Sequence, residues 1–495
     1  MNESKKNSIK FMIVAIICIC VFSISIVNKE LQNDTFYTIK LGELILDNGI
    51  DMQEHFAWHE GLPYTYPHWL YDVIIYLIFL ILGFEGLYIS TIILTAILGV
   101  TIYLSNIKLT KNVVIPFFTT VCILYIGREF LATRAQLVTF ILFVLEIYYI
   151  ERFLETKKIM YSVGLLVIPI LIANVHAAVF PFYFVLYMPY ICEYIISIFI
   201  SNKSKKEPYK IIIENNKNVK WLIIIMLFAL LTGLLTPIGE TPYTYLYNTL
   251  QGGTTKDIQE HLPIVLYETK DVLAYIIIVV CLIALTKVKI KLSDFILIGG
   301  LILLTIMSRR QQSMLFFLGI LVVNKILSQI FSKEETNEML ITFTSTTGRI
   351  IIYMVFVVFL IFSLKSIGNV EFISSNQYPI NAAEYIKNNL DLQNIKLFND
   401  YNTGSYLLYK DIPVFIDSRA DVYDSAFNNL EDDIFNNYLD LINGNSDYEQ
   451  KFEYYGITHI LIYENSTLGK ILKMDENYNK LYDDNIFVIY ERVSI

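Results

Sequence analysis

The chain has 495 residues, 55% of them hydrophobic and 17% charged, with a mean hydropathy of +0.50. That is too apolar for a water-soluble domain of this length, so much of the chain must face lipid. The net charge of −9 is unevenly spread: from Glu371 onward 21 acidic residues meet 9 basic ones, a balance of −12, which leaves +3 for the preceding portion. An acidic tail, and a membrane portion whose basic residues sit mostly in short loops, exclude nucleic acid as a partner.

Met1 to Lys10 carries three lysines and leads into the apolar run Phe11 to Val27. This run is long for a signal peptide and no small-residue cleavage site follows, which predicts a retained first transmembrane helix. Further apolar runs lie at roughly 71–84, 86–104, 112–127, 134–151, 159–173, 177–200, 219–236, 272–286, 294–307, 311–330 and 349–367. Each is near the length that crosses a hydrocarbon core. All five cysteines, Cys18, Cys20, Cys122, Cys192 and Cys281, fall inside these runs, so neither a disulfide nor a cysteine metal site is expected.

Lysines at the N-terminus, in Glu151 to Lys158, in Asn202 to Lys220 and in Lys287 to Lys291 mark those segments as cytoplasmic. Counting crossings forward from the N-terminus and backward from the loop at 202–220 gives answers that differ by one. Either 71–84 is interfacial or re-entrant, or one run between 86 and 151 does not cross fully. Beyond residue 370 the pattern changes to mixed α/β, with helical spacing over Asn381 to Leu390. Short buried strands are predicted at Ile395 to Phe398, Val414 to Ile416, His459 to Tyr463 and Ile486 to Tyr490. The expected architecture is therefore a polytopic α-helical membrane protein of about 12 transmembrane helices over residues 1–369, with a large first external loop at 28–70. A small mixed α/β external C-terminal domain follows over 370–495.

Polar residues in the membrane portion are not scattered evenly. Five of the six histidines, His55, His59, His68, His176 and His261, fall in loops assigned to the external side, and titratable groups gathered on one face point to a site there. The first external loop begins with Asn33-Asp34-Thr35-Phe36 and runs through Lys40, Glu43, Asp51 and Glu54 to the aromatic stretch Tyr64 to Trp69. Asp34 also suits a helix start, and Tyr64 to Trp69 an interfacial aromatic belt. Arg128, Glu129 and Arg134 flank one break between apolar runs, Asn174 and His176 occupy another, and Ser308-Arg309-Arg310 a third. External arginines run against the inside bias of positive charge; they are either snorkelling at helix ends or forming a phosphate clamp, for which the guanidinium fork is suited.

Several elements in order resemble the GT-C superfamily of integral membrane glycosyltransferases. They are Asn33-Asp34-Thr35-Phe36 to Glu43, His68-Trp69-Leu70, Thr133-Arg134-Ala135-Gln136, Asn174-Val175-His176, Phe398 to Tyr406 and Pro413 to Arg419. Within the superfamily the chain is similar to bacterial enzymes that use polyprenyl-phosphate sugars, related to protein mannosyltransferases and lipid A aminoarabinose transferases. The resemblance implies transfer of a sugar from a polyprenyl-phosphate-linked donor to a lipid, polysaccharide or protein acceptor at the external face of the cell membrane. It makes Asp34 the candidate catalytic base, and the family often has two adjacent acids where this chain has Asn33 before Asp34. Arg134, Arg309 and Arg310 are candidates for the donor phosphate. Glu43, His55, His59, His68, Trp69, Asn174 and His176 are candidates for substrate contact.

No cofactor is expected and no metal is assigned. In the tail, Asp417, Arg419 and Asp421 either line an acceptor site or form an ion-paired loop. The rival functions are a transporter or flippase for a lipid-linked glycan, an oligosaccharide ligase or polymerase, and a non-catalytic envelope-assembly protein of the same fold. No paired broken helices in matching halves support the transporter. Ligases and polymerases usually depend on a large loop in the second half of the chain, whereas here the long loop comes first.

Overall fold

The computed structural model describes residues 3–200, 211–254, 258–265, 269–368, 371–430 and 433–493. The lysines expected in a cytoplasmic loop between 202 and 210 lie outside the described residues. From the N-terminus the helices are α1 (Glu3–Ile26), α2 (Asn33–Asn48), α3 (Trp69–Thr110), α4 (Ile115–Ile126), α5 (Ala135–Thr156), α6 (Ile159–Val175), α7 (Phe180–Val185), α8 (Met188–Ile200), α9 (Val219–Leu231) and α10 (Thr241–Gln251). The chain forms two compact units, one from Met1–Asn28, Tyr88–Thr236 and Ile258–Val370, the other from Lys29–Leu87, Pro237–Asp257 and Glu371–Ile495. One cut falls after Val370. The stretch expected as the first external loop lies in the same unit as the tail.

Among the described residues, five helices are long and apolar enough to cross a membrane: Lys5–Ile26, Trp69–Thr110, Ala177–Ile200, Arg309–Ile330 and Thr346–Lys365. Four shorter apolar helices lie at Ile115–Ile126, Ile159–Val175, Val219–Leu234 and Leu292–Met307. The Thr346–Gly368 helix shows why water is the wrong solvent for this face, since Ile350, Met354, Phe362 and Leu364 all remain exposed along it. Such a stripe is stable only against lipid or another apolar surface. The expected spans 71–84 and 86–104 fall within α3, broken at Gly83, where φ 62° and ψ −153° suit glycine and strain any other residue.

In the first unit, α1 packs on the Thr346–Gly368 helix through the edge-to-face pair Phe22–Phe359, 5.6 Å between centroids, and on α4 through Phe11–Phe117 at 5.8 Å. Buried Asn324 accepts from Thr119 of α4 at 2.9 Å, tying α4 to the Gln312–Ile330 helix. Two short parallel strands, β1 (Ile211–Ile212) and β2 (Ile290–Lys291), are clamped by buried Glu193, which accepts from the backbone N–H groups of Glu214 and Ser293.

In the second unit, α2 buries Thr35, Phe36, Tyr37, Thr38, Ile39, Leu41 and Gly42 on one face. Phe36 anchors it against Tyr378 (4.9 Å) and Tyr406 (5.2 Å). Burying a side chain of that size contributes about 1.5–3 kcal/mol. The region expected to be an open loop therefore begins as a helix. The tail carries a four-stranded sheet in the order β3 (Leu397–Asn399), β4 (His459–Tyr463), β6 (Phe487–Arg492), β5 (Tyr478–Asp483), with only β3–β4 parallel.

The helix over Ile380–Asn389 and three of the four predicted strands occur close to their expected places. Val414 to Ile416 does not form a strand. Val414 makes one isolated bridge to Ala57, while Asn399 takes Phe415 N–H and Ile416 C=O through its side chain. The polar run after β3 is a helix start: Asp400 caps Tyr401–Tyr409 by accepting from Asn402 N–H at 2.9 Å.

Candidate functional site

Within the second unit, α2 and the start of α3 bring an acid and an imidazole together. Asp34 lies half-buried in the first turn of α2, where the helix dipole favours a negative charge. One turn on, Tyr37 stacks on His68, 5.8 Å between ring centroids, and its hydroxyl is 3.3 Å from His68 Nε2. His68 Nδ1 meets both carboxylate oxygens of Asp72 at 2.8 Å, and Asp72 is wholly buried. The i, i+4 spacing of His68 and Asp72 across the start of α3 produces this pairing.

The approach of α2 to α3 is close because residue 42 is glycine: a Cβ there would stand 2.2 Å from the Asp72 carbonyl oxygen and 2.5 Å from Tyr76 Cβ. Burial pulls the His68 imidazole down, but Asp72, Asp421 and Asp34 together outweigh it, so His68 holds its proton above the ordinary range. Asp72 was not among the candidates drawn from sequence, whereas Asp421 was, as part of an acceptor-lining or ion-paired loop. For Asp72 the spacing from His68 was the available signal.

Asp421 follows a buried ion cluster. Arg419, 3% exposed, forks onto Glu54 at 2.6 and 2.9 Å and onto Asp417 at 2.9 and 2.6 Å, and Tyr423 donates to Asp417 at 2.6 Å. Asp417 and Arg419 therefore act as an ion-paired staple, holding the 51–66 stretch to the segment that carries Asp421. Burial pushes the Asp421 carboxyl up to about 6, against the opposing charges of Arg419 and His68. A carboxyl whose proton is held more tightly folded than unfolded stabilises below its unfolded value, and that stability is lost as pH rises through the folded one. For Asp421 the window runs from about 3.8 to about 6. Thermal unfolding of the detergent-solubilised protein should show a loss of stability across that window, and Asp421→Asn should abolish it. His68 titrates in the same sense above its ordinary 6.5, so its contribution is lost at higher pH.

The remaining sequence candidates in this unit have other partners. Glu43 pairs with Lys40 at 2.5 Å, and Lys40 with Asp411 at 2.7 Å. His55 pairs with Asp51 at 2.7 Å. His59 bonds to the Phe415 carbonyl at 2.9 Å and stacks on Trp58. Trp69 opens α3, its N–H bonded to the Tyr66 carbonyl at 3.2 Å.

In the first unit, Arg134, Arg309 and Arg310 converge on one short segment. Arg134 pairs with Glu260 at 3.5 Å, the Arg310 N–H donates to the Glu260 carbonyl at 2.8 Å, and the Arg309 N–H donates to that of Leu262 at 2.9 Å. Partial burial works to raise the Glu260 carboxyl, but Arg134, Arg310 and His261 outweigh it and hold it below the usual range. Burial and the Arg310 charge push His261 down to about 4, leaving it neutral at ordinary pH. Asn174 and His176 are hydrogen-bonded within this unit. Asn174 donates to the carbonyls of Ile170 and Leu235, and His176 Nδ1 lies 2.8 Å from Thr139 Oγ1. Among the described residues no three His, Cys, Asp or Glu side chains converge as a metal cage would require.

No family model and no curated protein matches the chain by sequence. Its structure matches that of the archaeal oligosaccharyltransferase AglB from Archaeoglobus fulgidus, in complex with an inhibitory peptide and a dolichol-phosphate. The TM-score is 0.58 at 9% identity, covering 98% of this chain and 74% of that one. It shares its fold with an oligosaccharyltransferase. At 9% identity the likeness to AglB concerns the fold. Together with the apolar helices, it makes this chain a polytopic membrane protein of the AglB architecture.

Proposed function

We propose that the chain is a membrane glycosyltransferase that moves a sugar from a polyprenyl-phosphate-linked donor to an acceptor hydroxyl at the external face of the cell membrane. The observation that carries the reading is the acid and imidazole cluster of Asp34, His68 and Asp72 on a fold shared with AglB. AglB is recorded with a dolichol-phosphate and a peptide, which supports a lipid-phosphate donor here. The acceptor belongs to the lipids, polysaccharides or proteins outside the membrane. The proposed topology has about 12 spans, a cytoplasmic N-terminus and an extracellular C-terminal domain.

In this reading the acceptor oxygen attacks the anomeric carbon, the bond from that carbon to the phosphate oxygen breaks, and polyprenyl phosphate leaves with the electron pair. Asp34 takes the acceptor proton, and His68, oriented by Asp72 and Tyr37, stands within its electrostatic reach as a cation. Arg134, Arg309 and Arg310 bind the donor phosphate, whose oxygens suit the guanidinium fork. Glu43, His55, His59 and Trp69 are assigned to the acceptor side. A single displacement inverts the anomeric centre.

Membranes holding the wild-type chain should transfer labelled sugar from at least one member of a panel of polyprenyl-phosphate donors, with inverted configuration in the product. A retained configuration sinks the single displacement. No turnover across a broad panel and mixed acceptors moves the assignment to transport or assembly. Arg134→Gln and Arg310→Gln should each raise KM for the donor roughly 10- to 100-fold, since a hydrogen bond to a charged group contributes about 1.5–3 kcal/mol. A KM unchanged in both variants removes the phosphate clamp.

A further inference from the structure

The first unit holds a cavity of about 600 Å³ in a place the proposed transfer does not use. It lies among the C-terminal ends of α3, α5 and the Gln312–Ile330 helix, the start of the Leu292–Met307 helix, and the strands β1 and β2. A space of that size suits a small ligand. Lys291, on its lining, belongs to the stretch whose lysines mark the cytoplasmic side.

The charges lining this cavity are sorted by depth. At the buried end Lys325 is bonded to both Glu151 and Asp294, the latter at 2.7 Å, and Asp294 is only 4% exposed. One ammonium thus serves two carboxylates. Tyr190 donates to the same Glu151 oxygen that Lys325 holds, so Glu151 Oε2 and Asp294 Oδ2 have no hydrogen-bond partner among the described residues. Buried Glu193 differs, since its two oxygens take up the N–H groups of Glu214 and Ser293. At the exposed end Glu214 is paired with Lys291 at 2.8 Å, and Glu155 with Arg152. Lys108 and Lys111 also stand there, exposed, and among the described residues neither ammonium has a partner. The cavity is therefore short of a cation at its floor and short of an anion at its rim.

We propose that this cavity binds a phosphate ester carrying a primary ammonium, the phosphoethanolamine group of a lipid or of a soluble glycerol ester. The ligand's ammonium supplies the second cation that Glu151 and Asp294 lack, and its N–H groups reach their open oxygens as charge-assisted hydrogen bonds. The phosphate meets Lys108 and Lys111 at the rim, and Leu109, Val322 and Ile326 give an apolar wall for the carbons. A simple anion is repelled by the floor, and a polyamine by the rim. A metal ion would compete with Lys325, which already bridges the two carboxylates. A quaternary ammonium has no N–H to donate. Basic pockets between helices on the cytoplasmic side are a recurrent place for lipid headgroups; here the acidic floor adds selection for the amine.

The test is equilibrium dialysis of the full chain in detergent micelles against radiolabelled dihexanoylphosphatidylethanolamine, whose short tails leave it dialysable, with empty micelles as the blank. N-acetylation of the lipid removes the ammonium and keeps the phosphate; it should weaken binding roughly 10-fold or more, as should exchange of ethanolamine for choline. Lys108→Gln combined with Lys111→Gln should weaken binding by a similar factor and, since both side chains are exposed, leave thermal unfolding unchanged. Asp294→Asn should remove the preference for the ethanolamine lipid over dihexanoylphosphatidylglycerol. Labelled glycerophosphoethanolamine separates the sources: binding as tight as the lipid's supports a soluble ligand, and weaker binding supports a lipid. The proposal is overturned if the wild type takes up no more ethanolamine lipid than empty micelles do, or if it binds the phosphatidylglycerol as tightly. It is equally overturned if the double lysine variant binds at wild-type strength, or if Asp294→Asn keeps the preference.

Discussion

Asp34→Asn is expected to lower sugar transfer by about 10²- to 10⁴-fold, the usual contribution of a positioned general base. The substitution keeps the shape of the side chain, so folding should hold. The structural cost is the lost interaction of a carboxylate with the first turn of α2, about 0.3–1 kcal/mol. Expression and thermal unfolding of the detergent-solubilised protein should therefore be nearly unchanged while turnover collapses.

The neighbouring imidazole sets the decisive comparison. His68 holds its proton above the ordinary range under the influence of Asp72, Asp421 and Asp34, and as a cation it accepts no proton. If Asp34→Asn keeps most of its turnover and His68→Gln loses it, the base is His68 and the pH profile should rise only where His68 deprotonates. If both lose turnover together and neither changes unfolding, the two act as one unit.

Arg419→Ala should destabilise the second unit by about 3–5 kcal/mol, the cost of removing one partner from a buried ion pair. Two carboxylates would be left behind, with Glu54 and Arg419 side chains both at 1% exposure and Asp417 at 0%. Limited proteolysis of the tail and a large drop in Tm are the expected readings. Adding Glu54→Gln and Asp417→Asn to Arg419→Met should restore much of the loss, because neutral groups in the same space cost far less than unpaired charges. A single Arg419→Ala variant as stable as the wild type would contradict the staple. Transfer should fall with stability here, since the staple precedes Asp421 in the chain by two residues and Asp421 in turn acts on His68.

The membrane character of the chain was legible from residues alone, because apolar runs near bilayer length have few other uses. So were Ile380–Asn389 and most of the sheet, where the apolar spacing is regular. The start of the first external loop was harder. Asn33 to Asn48 mixes threonines, a glycine and charges into its apolar pattern, and α2 becomes convincing only when Phe36 meets Tyr378 and Tyr406, over 340 residues away in sequence. Asp72 gave no such signal, being a single acid inside an apolar run. The Arg419 staple depends on Glu54, a pairing that no local pattern announces.

That pairing joins residues 365 positions apart. At a synthesis rate of about 5–20 residues per second, Glu54 emerges roughly 20 to 70 s before Arg419 exists. For that interval the apolar face of α2 and a carboxylate destined for burial wait without the residues that will cover them. The second unit is thus complete only once Glu371–Ile495 has been made. A truncation within the tail would strand the Lys29–Leu87 part of that unit as well, and a chaperone acting on the nascent chain would find its substrate there.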